Sequence, residues 1–230
     1  MTVHSKTDRV ERRWLRHAVA SGEEGRRWAE IYDEFSEIED LSSHAIELCR
    51  RGDPKTAEML ERTEAARRSV PAEAPVSVHA LLDRWLFGMK GFVYYIDGQF
   101  DLATETIEKA RTAVVTLLAE APFLMPFANH CAEFTLHRAR IERNQGHWPA
   151  MWRHVDEAAA MVDERVPLCV LPGKREIGME SIRDFFNSLE LDSADQRDVS
   201  AYFDNELRML RFQGFVRRMV AAPDFTIQYP

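Results

Sequence analysis

Three acid–histidine pairs stand four residues apart in this chain: Asp40 and His44, His79 and Asp83, Glu133 and His137. On a helix that spacing puts both members of a pair on one face. Imidazole and carboxylate together suit iron, zinc or manganese, and helical bundles assemble such sites from pairs on different helices. A metal or small-molecule site would therefore draw on His44, His79, Glu133 and His137, with His130 about one further turn away. The Glu-x-x-His spacing of carboxylate-bridged di-iron bundles is absent, and an exposed ion pair is the simpler reading of each pair. There is no phosphate-binding glycine loop, nucleophile elbow or HExxH motif. Ser42-Ser43-His44 sets hydroxyls beside an imidazole in sequence, but adjacent helical residues do not face one another. No catalytic residue is assigned, and no cofactor is expected.

The elements that must position these side chains are organised by a recurring pattern. A small residue is followed seven positions later by glycine, and five positions after that by a compact residue. The copies are Ala45, Gly52, Ala57; Gly91, Gly98, Ala103; and Ala139, Gly146, Met151, with the glycines 46 and 48 residues apart. Such a period, with glycine between two helical stretches, predicts stacked helical hairpins. Helices are expected over 28–50 and to about Arg68, with Ala57, Leu60 and Ala65 inward in the second. Gly52-Asp53-Pro54 supplies a left-handed stop, a cap and a first-turn proline between them. The second hairpin pairs 78–96 with 100–119, placing Ala103, Ile107, Ala110 and Val114 on one stripe. The third pairs 127–143 with 149–162. Residues 168–178 contain Pro172 and Gly173 and read as a loop, 179–190 as a short helix, and no set of strands is expected. Ser193 and Gln196 match a capping box that opens a long helix, read as a terminal cap. The expected organisation is an N-terminal arm or short helix over 1–28, a helical-repeat domain over 29–166 and a helical cap over 167–230.

Composition narrows the function classes. A net charge of -8 argues against general nucleic-acid or anionic-membrane binding, both of which need a basic face. Cys49, Cys131 and Cys169 form an odd, sparse set with no CxxC motif, so reduced and partly buried thiols in a cytoplasmic protein are expected. The N-terminus lacks the apolar run of a secretory signal, and the apolar stretch 113–128 is broken by Glu120, Pro122 and Pro126.

The segment from Gly91 through Tyr94, Gly98, Phe100, Ala103 and Ile107 to Ala110 resembles a tetratricopeptide repeat. Ala139, Gly146, Trp148, Val155 and Ala158 match in the third copy, where Glu142 replaces the aromatic and Met151 the alanine; Ala45, Gly52 and Ala57 match in the first. Together the copies cover about 28–162, with a period longer than the usual 34 residues. The resemblance implies an all-α solenoid with a partner-binding role and no chemistry of its own. A separate segment, 199–230, is similar to the opening helix of the small subunit of ring-hydroxylating dioxygenases, which implies a following sheet and would make the chain a piece of a longer protein.

In a tetratricopeptide-like stack the first helix of each hairpin lines the concave face. That register offers Trp85, Met89, Phe92 and Tyr95 from the second hairpin. It offers Glu133, His137, Arg140 and Asn144 from the third, with Arg143 nearby, and Ser42, Ile46 and Arg50 from the first. Aromatic side chains beside arginines suit a peptide with apolar side chains and an acidic group. The expected function is an adaptor or regulatory module for a protein or peptide. The alternatives are an enzyme or sensor holding a metal or small molecule through the histidines, and self-association into a homo-oligomer through the apolar repeat surface.

Overall fold

The computed structural model describes Trp28, Glu30 and residues 37–188. Among these, seven α-helices follow one another: α1 (Glu37–Arg50), α2 (Thr56–Arg68), α3 (Val76–Ile96), α4 (Phe100–Glu120), α5 (Asn129–Asn144), α6 (Trp148–Val162) and α7 (Met179–Ser188). A 3-10 segment, Pro122–Ala128, joins α4 to α5. The protein is mostly helical, as the periodicity predicts. No helix among the described residues is long and apolar enough to cross a membrane.

Three turns share one geometry. Gly52, Gly98 and Gly146 have φ of +64°, +73° and +76°, the left-handed region where a side chain is strained. After each glycine, the next amide reaches back to a carbonyl in the preceding helix: Asp53 to Leu48 at 3.0 Å, Gln99 to Tyr94 at 2.8 Å, His147 to Glu142 at 2.8 Å. The glycine amides bond Cys49, Tyr95 and Arg143 in the same way. This is the Schellman closure, which satisfies carbonyls that a helix end otherwise leaves open. Each turn folds a helix back on its predecessor, so α1 packs on α2, α3 on α4 and α5 on α6.

The second and third hairpins bury equivalent positions. Ala103, Ile107, Ala110 and Val114 of α4 are buried, and so are Met151, Val155, Ala158 and Val162 of α6. The small residues seven before each glycine, Ala45, Gly91 and Ala139, are all buried. At Gly91 a Cβ would lie 2.6 Å from Ile107 Cδ1, so the residue type is set by the approach of α4.

The first hairpin corrects the expected register. Ala57 and Ala65 are exposed, and α2 buries Met59 and Thr63 instead. The cause is the turn. Asp53 Oδ1 accepts from the Lys55 amide at 2.9 Å and the Asp53 carbonyl accepts from the Thr56 amide at 3.0 Å, so Asp53-Pro54-Lys55 makes a turn of its own. Helix α2 starts four residues after its glycine, whereas α4 and α6 start two after theirs. Counted from helix starts, Met59, Thr63 and Val70 occupy the positions of Ala103, Ile107 and Val114. Two ion pairs tie α2 to α3: Arg67 to Asp83, with Nε–Oδ1 2.7 Å and Nη2–Oδ2 3.1 Å, and Lys90 Nζ to Glu64 Oε1 at 2.6 Å.

Residues 168–178 are not a plain loop. Strand β1 (Cys169–Val170) pairs antiparallel with β2 (Glu176–Ile177), in register Cys169 to Ile177. Gly173, at φ +81°, turns the chain, and the Leu171 amide donates to the Arg175 carbonyl at 2.8 Å. Two residues per strand are too few to give a period-two signal. Leu168, Cys169, Leu171, Ile177, Met179 and Ile182 join the main core, together with residues of α3 to α6 such as Leu81, Leu82, Ile107, Leu117, Phe134 and Met161. A smaller core cluster under the first hairpin contains Leu41, Ala45, Leu48, Met59, Leu86 and Met89. The expected N-terminal arm before Trp28, the capping box at Ser193 and the dioxygenase-like segment 199–230 lie outside the described residues.

Candidate functional site

A polar cluster lies where α3 meets α5. Helix α5 carries His130, Glu133 and His137 at i, i+3 and i+7, one face of a helix. His130 Nδ1 is 2.8 Å from Glu133 Oε2, and His137 Nε2 is 3.5 Å from Glu133 Oε1. An arginine lies against each imidazole. Arg84 Nη2, from α3, touches both ring nitrogens of His130, and Arg140 Nη1 lies 3.4 Å from His137 Nδ1. In one proton arrangement His130 donates from Nδ1 and His137 from Nε2 to the carboxylate, while His130 Nε2 accepts from Arg84 and His137 Nδ1 from Arg140; the approach of Arg84 Nη2 to His130 Nδ1 is then a contact without a hydrogen bond.

The electrostatics agree with neutral His137. Burial lowers its pKa and the Arg140 charge adds to that, while the Glu133 carboxylate pulls the other way; the net shift is downward. For Glu133 burial works upward, but hydrogen bonds and charge from His130 and His137 outweigh it and hold the carboxyl well below the usual carboxylate range. Glu133 still keeps 40 % of its side-chain surface accessible, so the chain of groups reaches solvent at its middle.

The surroundings are aromatic. Phe127 stacks on His130 at 5.7 Å between centroids, and Phe134 lies 6.3 Å from His130 and 6.4 Å from His137. The Arg84 guanidinium carbon lies 3.7 Å from the centroid of a Trp85 ring and 5.3 Å from that of Phe127. Both are cation–π distances.

The residues expected to line a concave face divide into two groups. Arg50 of α1 lies over the Phe92 ring of α3 at 5.4 Å, and Asn144 Nδ2 of α5 donates to Tyr95 Oη of α3 at 3.1 Å. Arg143 sits against Asn144, with Nη2–Oδ1 3.3 Å, and the Arg50 charge reaches His137. The first helices of the three hairpins thus bring Arg50, Phe92, Tyr95, His137, Arg143 and Asn144 together. Met89 departs from this expectation: it is fully buried against Leu41, Ala45 and Leu86 in the first-hairpin core, because α1 covers that stripe of α3. Arg140, expected to line the concave face, is buried, with Nη1 3.4 Å from His137 Nδ1. Ser42 is also buried, with its hydroxyl donating to the Ile38 carbonyl at 2.7 Å. Trp85 and Ile46 are half-buried.

The four candidate metal ligands are not gathered. His44 is exposed on α1, and His79 lines a separate groove between α3 and α4 with Val76, Asp83 and Phe87. Only Glu133 and His137 meet, and among the described residues no three His, Cys, Asp or Glu side chains are grouped to hold a metal ion. Asp83 is paired with Arg67. The sequence reading missed Arg84. Its signal is a lone arginine amid Leu81, Leu82, Trp85 and Leu86, where a helix apolar around most of its circumference has no solvated face for a charge.

No family model, curated protein or solved structure gives a significant match to this chain.

Proposed function

We propose that the chain is a non-catalytic binding module, a stack of tetratricopeptide-like helical hairpins whose α1, α3 and α5 face holds a protein or peptide carrying an acidic group. The observation that carries this reading is the convergence of Arg50, Phe92, Tyr95 and Asn144 from three successive hairpins through the Arg50–Phe92 and Tyr95–Asn144 contacts. The three equivalent glycine closures support the repeat reading, because each ends the first helix of a hairpin in the same way. Half-buried aromatics supply contact area and the arginines supply charge-assisted hydrogen bonds to a carboxylate.

The test is selection of binders from a random peptide library by the full chain, followed by affinity measurements. Enriched peptides should share an aspartate, a glutamate or a free C-terminal carboxylate beside an apolar residue. Tyr95→Ala and Arg50→Ala should each weaken binding by about tenfold or more. Selected peptides without acidic groups, or affinities unchanged in both variants, would sink the proposal.

A second reading, self-association, is favoured by Trp148 and Trp152. They stand one turn apart on α6 and are 55 % and 41 % exposed. A mass that doubles with concentration in wild type but not in Trp148→Ala/Trp152→Ala would support it.

A further inference from the structure

Arg84 is 4 % exposed, and among the described residues no carboxylate contacts it. Among them its hydrogen-bonding partner is the His130 ring, engaged by Nη2, while the N–H groups on Nε and Nη1 are buried and have no acceptor. Beside it the indole Nε1–H of Trp85 is also buried without an acceptor. A guanidinium withdrawn from water loses several kcal/mol of hydration, roughly, unless an anion and hydrogen bonds replace it. Glu133 does not fill that place with a hydrogen bond, because its two oxygens lie against His130 Nδ1 and His137 Nε2. Buried donors without acceptors are rare in native proteins, and several of them side by side mark a missing partner. Here the cluster combines a full positive charge, three unused guanidinium N–H bonds and one indole N–H bond.

We propose that Arg84 and Trp85 form the anchor of a binding site for a small carboxylate. The guanidinium carbon lies 3.7 Å from the centroid of a Trp85 ring and 5.3 Å from that of Phe127. A small planar carboxylate accepts two parallel N–H bonds from a guanidinium and, being flat, needs less room beside these rings than a tetrahedral oxyanion. The carboxylate accepts from Arg84 and from Trp85 Nε1–H, while His130 stays bonded to Glu133. Trp85 is half-buried beside Arg84, and its movement admits the ligand. The site is independent of the acidic-peptide reading of the α1, α3 and α5 face, which rests on Arg50, Tyr95 and Asn144.

The test is an NMR titration of the full chain with sodium acetate at constant ionic strength, using sodium chloride and sodium phosphate as parallel probes. The Trp85 indole N–H resonance is assigned by its loss in Trp85→Phe. Acetate is expected to move that resonance along a saturable curve, chloride to leave it in place, and phosphate to bind more weakly than acetate. Arg84→Met should weaken acetate binding by at least about tenfold, since it removes the charge-assisted donors. If Arg84→Met does not fold, Trp85→Phe provides the second reading: acetate should still raise the thermal midpoint, but with weaker affinity than in wild type. The proposal is overturned if the indole resonance responds equally to chloride, if phosphate binds and acetate does not, or if neither substitution changes the acetate response. It is also overturned if Arg84→Met is more stable than wild type and acetate stabilises neither protein, because Arg84 would then be a buried cation with a purely structural place.

Discussion

Two glycines of α3 should respond to the same substitution with opposite signs. At Gly91 a Cβ would lie 2.6 Å from Ile107 Cδ1 and 2.9 Å from Cγ1. At Gly88 it would lie 3.7 Å from the Phe134 ring, an ordinary van der Waals contact. Both residues are in the interior of one helix, so alanine brings each about 1 kcal/mol of helix propensity. Gly91→Ala must also push aside the buried Ile107 side chain, and overpacking of that kind costs about 1–3 kcal/mol. The propensity gain cancels in the comparison, so Gly88→Ala should exceed Gly91→Ala in stability by about 1–3 kcal/mol. Gly88→Ala itself should be about 0.5–1 kcal/mol more stable than wild type. Urea unfolding of the full chain measures both, and the gap corresponds to roughly 2–4 °C per kcal/mol in thermal midpoint for a chain of this size. Ile107→Val removes the atom in closest conflict. Alone it should cost about 0.5–1.5 kcal/mol, but in the Gly91→Ala background it should cost less or restore stability, a coupling of about 1 kcal/mol. Equal stabilities for the two alanine variants, or strict additivity with Ile107→Val, would refute the idea that close approach of α3 and α4 sets the residue seven before the turn.

Three further outcomes follow from the structure. Glu133 and His137 both have pKa values lower in the fold than in the unfolded chain, so the unfolded chain binds more protons and stability rises with pH. His137's contribution is complete above about pH 6.5 and is lost as pH falls below that; Glu133's is complete above about pH 4.3 and is lost at lower pH. His137→Gln should flatten the dependence of the urea midpoint between these values, and an unchanged slope would contradict it. Cys49 is buried, and burial first and Asp97 second, partly opposed by Arg50, push its thiol up to about 11. Mass spectrometry after brief treatment of native protein with iodoacetamide at pH 8 should find Cys49 unmodified, with labelling after denaturation. Arg67→Lys loses the two-point contact with Asp83 that links α2 to α3 and should cost about 0.5–1 kcal/mol, read by the same urea assay.

The helical class and the three turns were legible because glycine at a left-handed position and apolar periodicity are local properties. The register of α2 was not, since Asp53-Pro54-Lys55 forms a turn of its own and displaces the helix start, which moves the buried face from Ala57 to Met59. Short ladders such as Cys169–Val170 with Glu176–Ile177 carry too few residues to show a period. At the candidate site, Phe92, Tyr95 and Asn144 could be placed from helix register alone. Met89 could not, because its burial depends on α1 packing across α3. The Arg84–His130 contact joins residues 46 apart and depends on how two hairpins meet, so no spacing rule within one helix reveals it.

The central claim is that the α1, α3 and α5 face is the binding surface. A photoreactive phenylalanine analogue placed at Phe92 tests it directly when compared with the same analogue at Leu102, which is exposed on α4. With a selected acidic peptide, the account predicts a crosslink from position 92 that an unlabelled competitor abolishes, and none from position 102. Crosslinking from position 102 alone, or equally from both, would contradict it.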